Sequence, residues 1–157
     1  MALTYFKIKD RVLIGSTAGM IAAVFKDASN LIFYSLKIVN TLYFQLAASA
    51  HLLPAGVNTV LGYIIGILSD IITGGTIGVL GIFFLSYFGT DYWWYKGCII
   101  GNLVWLFGLG VILNLGTIHL NSYDPVFRMV AFIDHQIFGL VYVYLVYRWS
   151  QKTKPIQ

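Results

Sequence analysis

The chain has 157 residues, of which 59% are hydrophobic and only 10% charged, with a mean hydropathy of +0.80 and a formal net charge of +4. Soluble domains carry about a quarter charged residues and disordered chains have the opposite composition, so a water-exposed globule and a disordered segment are both excluded. Nucleic-acid binding is excluded as well, because ten cations against six anions, all Asp, make a small excess whose placement matters more than its size in a membrane protein.

A hydrocarbon core of ~30 Å needs about 20 largely apolar residues in a helix, and four stretches qualify. The first spans about 12–36 and carries Lys26, Asp27 and Asn30. A shorter first arm ending at Phe25 would have 14 residues, too few to cross. Lys7, Lys9 and Arg11 ahead of the apolar run, with Ile21-Ala22-Ala23 behind it, imitate a secretory leader; the segment is expected to be a retained membrane helix. The linker holds an apolar run at 41–53, too short to span, which is expected to form an interfacial or re-entrant helix. The second span covers 57–88 and includes Asp70 and a Thr73-Gly74-Gly75-Thr76 run, where a kink or local unwinding is expected. The third covers 97–116, and the fourth, 128–147, contains Asp134-His135-Gln136. Pro54 and Pro125 fall between segments, where proline is tolerated. The expected fold is an all-α membrane bundle, one domain of four spans plus the linker helix.

Cations set the expected orientation. Lys7, Lys9, Arg11, Lys96, Arg148, Lys152 and Lys154 fall on one side, and Lys37 and Arg128 on the other. Seven against two predicts that both termini are cytoplasmic. Tyr92-Trp93-Trp94-Tyr95, together with Tyr142, Tyr144, Tyr147 and Trp149, fits an aromatic belt at that same interface.

Small residues recur every four positions. Gly62, Gly66, Asp70, Gly74 and Gly78 line one face of the second span; Gly15, Gly19, Ala23 and Asp27 line one face of the first; Gly97 and Gly101 open the third. Residues four apart share a helix face, and small ones let helix backbones approach closely where lipid supplies no hydrophobic drive. Asp70 and Asp27 interrupt these stripes and are therefore expected to face protein, since a carboxylate at the bilayer centre costs ~2.5–3.5 kcal/mol.

By depth, Lys26, Asp27, Asn30, Asp70, Asn114, Asp134 and His135 converge in the outer half of the bundle, whereas Asn102 stands apart in the inner half. Three readings compete. In the first, Lys26 pairs with Asp70 or Asp134 and the amides bridge helices, without chemistry. In the second, the carboxylates and the imidazole form a proton, cation or small-solute route. The third, an intramembrane enzyme, is disfavoured because Asp134 and His135, adjacent on a helix, point about 100° apart. No cofactor or metal is expected: only His135 among the three histidines lies in a span, Cys98 is the sole cysteine, and no P-loop or dinucleotide glycine motif occurs. Ser16, Ser29, Ser69 and Ser86 show no recognisable partner in sequence.

Gly15-x-x-Ala18-Gly19, the Lys26 region, Leu46-Ala47-Ala48-Ser49-Ala50, Asp70 with its trailing glycines, Lys96-Gly97 and Asp134-His135-x-x-Phe138-Gly139 follow a recurring order. Over roughly 11–147 the chain resembles an uncharacterised family of small four-helix integral membrane proteins of Gram-positive, often spore-forming bacteria. The resemblance implies a cytoplasmic-membrane location and transfers no activity. The expected function is a non-enzymatic multi-pass module, self-associating or a subunit of a larger membrane complex, with small transporter or channel as the alternative. Its expected partners are the bilayer and other membrane chains, not nucleic acid.

Overall fold

The computed structural model describes residues 10–112 and 124–152. Asp10 starts the first helix, its Oδ1 accepting from the Leu13 N–H at 2.9 Å, and α1 (Arg11–Ser35) then runs unbroken for 25 residues. It stops where Lys37 adopts φ 59°, with the Ile38 N–H returning to the Phe33 carbonyl at 3.0 Å. The linker folds as two short helices, α2 (Tyr43–Ser49) and α3 (Pro54–Val57). Thr59 caps α4 (Val60–Phe88) through the Gly62 N–H, and Gly89, at φ 74°, ends it. Lys96 Nζ donates to the Phe88 and Gly89 carbonyls at 2.8 and 3.0 Å, a cation set against the negative end of the helix dipole. The third span is α5 (Trp93–Trp105), continuing as π-helical turns over Leu106–Ile112. Finally α6 (Pro125–Lys152) opens on proline, with Asp124 Oδ1 accepting from the Val126 N–H.

Four helices are long and apolar enough to cross a membrane, and every element described is helical. In hydrocarbon a spanning segment must satisfy its own backbone groups, which helices do. The protein is an all-α, multi-pass membrane bundle. Neighbours in space run α4, α1, α6, α5, with α2 and α3 packed on α4. Alternate spans are antiparallel, so the start of α1 and the end of α6 share one end of the bundle with Arg11, Lys96 and Arg148.

Several expectations require correction. No kink occurs at Thr73–Thr76: α4 is continuous there because Gly74 and Gly75 are pressed against Gly19, Ala23 and Met20 of α1, which hold the backbone in place. The second span begins at Val60 rather than 57, since Val57 closes α3. The third begins at Trp93, four residues early, and its expected end at 113–116 lies outside the described residues, as do Lys7, Lys9, Lys154 and His119. The fourth is longer at both ends than 128–147. The expected single helix at 41–53 is two, and α2 is drawn into the bundle. Tyr43, Leu46, Ala48 and Ser49 are buried, and a Cβ on Gly66 would run into the Phe44 carbonyl and lie 3.2 Å from Ala48 Cβ. Tyr142 is not a belt residue. It is fully buried, its ring fills the space beside Gly81, and its hydroxyl donates to the Gly78 carbonyl at 2.7 Å. Tyr92, Trp94 and Tyr95 do lie exposed at that end.

The glycine stripe of α4 is shared between two partners. Gly62 and Gly66 receive the linker helices, at the Gly56, Val57 and Phe44 carbonyls, whereas Gly74 and Gly78 receive Gly19 and Gly15 of α1. Asp70 stands between the two contacts. A second close seam joins α5 to α6, where Gly97 and Gly101 meet the backbones of Gly139 and His135.

Two apolar cores flank a polar layer. One, toward the cationic end, contains Ala18, Ala22, Ile82, Leu85, Phe138, Tyr142 and Val146. The other gathers Val39, Tyr43, Leu46, Leu109, Phe127 and Val130 around α2. On α6 the order Ala131, Asp134-His135, Phe138 places the polar layer between them.

Candidate functional site

Lys26 lies nine residues before the end of α1, Asp70 ten after the start of α4, and Asp134 nine after the start of α6. At 1.5 Å per residue these offsets are about 14, 15 and 14 Å, a common depth inside the span. Antiparallel packing brings them into one layer.

Lys26 is the hub. Its Nζ donates to Asp70 Oδ2 at 2.7 Å, lies 2.9 Å from Asp27 Oδ1 in an ion-pair contact, and sits 4.1 Å from the centroid of the Tyr43 ring. Of the two pairings expected for Lys26, the structure selects Asp70; Asp134 is engaged elsewhere. The Tyr43 hydroxyl donates to Asp134 Oδ2 at 2.9 Å, and the Tyr43 N–H donates to Asn30 Oδ1 at 3.0 Å. Burial, reinforced by the Asp134 carboxylate, pushes the Tyr43 phenol far above its ordinary value of 10.0, so it remains a donor. One aromatic residue of α2 thus touches charged or amide groups on α1 and α6.

His135 is buried, edge-on to the Tyr43 ring at 5.7 Å between centroids. Its Nδ1 lies 2.6 Å from the Ala131 carbonyl. A carbonyl only accepts, so Nδ1 carries the proton and Nε2 of the neutral ring is the acceptor. Asp134 and His135 therefore serve different neighbours and form no acid–base pair with each other.

The layer is incompletely satisfied. Asp27 Oδ1, Asn30 Nδ2 and Asp134 Oδ1 are buried without a hydrogen-bond partner, although Asn30 and Asp134 are 1% and 0% exposed. Buried polar atoms are nearly always paired, and three unpaired ones here fall in one layer. Charge is unbalanced too, with three carboxyls around a single ammonium. Among the described residues, no group of three or more His, Cys, Asp or Glu side chains could hold a metal ion.

Asn114 lies outside the described residues. Asn102 is not alone: its Oδ1 accepts from Gln136 Nε2 at 2.8 Å, tying α5 to α6. Ser69, beside Asp70, has a partner in His51 Nε2 at 2.9 Å. Ser16 and Ser86 bond back to carbonyls of their own helices. Sequence reasoning missed Tyr43, Gln136 and Gly139. Tyr43 carried no signal, being an aromatic in an apolar run outside the spans; Gln136 did, as the third polar residue of Asp134-His135-Gln136.

Tyr43→Phe isolates the α2 contribution. It removes the hydroxyl donor to Asp134 and leaves the ring over Lys26, and is expected to cost ~1–3 kcal/mol, the penalty for a buried acceptor left unpaired. Thermal melting in detergent reads the loss, with Tyr87→Phe at the exposed rim as the unaffected control. Coincident melts for Tyr43→Phe and wild type would show that the hydroxyl contributes nothing.

The chain matches no protein-family model, no curated protein and no solved structure.

Proposed function

We propose that this multi-pass membrane protein is a non-enzymatic module of the cytoplasmic membrane, self-associating or a subunit of a larger complex, whose polar layer locks the bundle together. One observation carries the reading: a single ammonium joins α1 to the Asp70 carboxylate of α4 and to the aromatic face of α2, while Tyr43 continues the link to Asp134 of α6. The separate engagement of Asp134 and His135 supports a role without catalysis. Arg11, Lys96 and Arg148 at the end shared by both termini, against Lys37 and Arg128 at the other, support a cytoplasmic position for that end. The resemblance to small four-helix proteins of Gram-positive bacteria points the same way.

A second reading, proton or small-cation handling, is favoured by the three unpaired polar atoms and the surplus of carboxyls in one layer. The two readings separate in proteoliposomes. If the layer handles ions, the Asp70→Asn, Asp134→Asn double variant keeps its helicity and loses the proton or cation flux that wild type shows above empty vesicles. If it is a lock, Asp70→Asn lowers the melting temperature and wild-type flux equals that of empty vesicles. Equal, non-zero flux in wild type and double variant eliminates the ion-handling reading.

A further inference from the structure

We propose that the outer face of α5 and α6, centred on Asn102 and Gln136, is the contact through which two copies of this chain associate in the bilayer. Asn102 is exposed, about 14 Å in from the start of α5, and Gln136 is partly exposed, about 17 Å in from the start of α6. Both depths lie inside the hydrocarbon. Their mutual bond uses Asn102 Oδ1 and one Gln136 N–H. Each primary amide has one acceptor oxygen and two N–H donors, so the pair retains the Asn102 Nδ2 donors and the Gln136 Oε1 acceptor. Neither acyl chains nor headgroups ~14 Å away can satisfy them, and an unpaired amide in an apolar medium is costly.

A second copy can satisfy both. Because Asn102 and Gln136 are hydrogen-bonded, they share one depth, and a two-fold axis along the membrane normal preserves depth. Such an axis places Asn102 of each copy opposite Gln136 of the other, donor to acceptor twice over, the self-complementarity that a two-fold contact demands. The surrounding face is apolar and uncovered: Leu103, Leu106, Met129 and Ile133 are 44%, 52%, 63% and 43% exposed. Polar side chains amid such a surface are the usual glue between membrane helices.

The inference rests on the self-associating form of the proposed function and not on the polar layer, so its test leaves Lys26 and the carboxylates intact. Two populations of the full chain, labelled at the amino terminus with donor and acceptor dyes, are mixed in phosphatidylglycerol-containing vesicles over a range of protein-to-lipid ratios. Energy transfer is expected to report dimers. The Asn102→Leu, Gln136→Leu double variant is expected to need about 5- to 10-fold more protein for half-dimerisation, the effect of two interhelical polar bonds in lipid. Thr76→Val, on the exposed face of α4, should leave the midpoint unchanged. Cys98, one turn before Asn102 on α5, offers a native crosslinking position, and its crosslinked dimer should fall in parallel. Monomer at every ratio overturns self-association itself. A dimer indifferent to the double variant overturns only this face, as does a lower melting temperature with unchanged dimerisation, which would confine the amide pair to joining α5 and α6. A different membrane protein shielding Cys98 in native membranes overturns the choice of a second copy.

Discussion

Lys26→Met is expected to be the most damaging single change to the polar layer, costing ~3–5 kcal/mol, the range for removing one partner of a buried ion pair. The size follows from what remains rather than from what is lost. Lys26 is 6% exposed and is the cation that both Asp27 and Asp70 face. Without it, two carboxylates from different helices confront each other in a medium that penalises each by ~2.5–3.5 kcal/mol. Methionine keeps the aliphatic stem, so packing is largely retained and the change reads charge. The Lys26→Met, Asp70→Asn pair should recover most of the loss, because replacing both partners of a buried pair is often nearly neutral. Melting temperatures of the four proteins in one detergent form the double-mutant cycle. A single variant melting with wild type, or a double variant no better than the single, would show that Lys26 is not the hub.

A comparable loss, at least about 3 kcal/mol, is expected from Gly78→Leu, at the upper end of overpacking penalties. A Cβ at Gly78 would collide with the Gly15 carbonyl oxygen and lie 2.9 Å from Gly19 Cα. Both obstacles are backbone, which cannot rotate away as a side chain can. Helices α1 and α4 would have to separate, and the 2.7 Å Lys26–Asp70 contact two turns away would lengthen with them. Gly108 supplies the contrast, since nothing lies within 4 Å of its added Cβ. Gly108→Ala should stay within ~1 kcal/mol of wild type. Melting and protease resistance in detergent test the pair; a Gly78→Leu protein as stable and resistant as Gly108→Ala would refute the close approach of α1 and α4.

Much of this architecture was legible as composition and period. Long apolar runs gave the number of spans, and the four-residue spacing of small residues marked the faces on which Gly15, Gly19, Gly74 and Gly78 now meet. Asp27 and Asp70 could be assigned to protein-facing surfaces because they interrupt those faces. What could not be read was the course of the linker. Nothing in Thr41 to Leu53 shows that α2 packs against Gly66 or that Tyr43 enters the polar layer, because those contacts depend on the shape left by three other helices. The same holds for Thr73–Thr76. Two adjacent glycines suggest a break in isolation, but packed against α1 they leave α4 straight.

Sequence by itself determined that this is a membrane chain with four crossings and that its ionic residues must turn inward, since solvation in hydrocarbon leaves them no other place. Tertiary structure alone decided who meets whom: Lys26 with Asp70 rather than Asp134, Tyr43 with Asp134, Asn102 with Gln136. A helical period fixes the face on which a residue lies, but the rotation and offset of one helix against the next are set by how closely their backbones can pack, and here glycine carbonyl contacts set them.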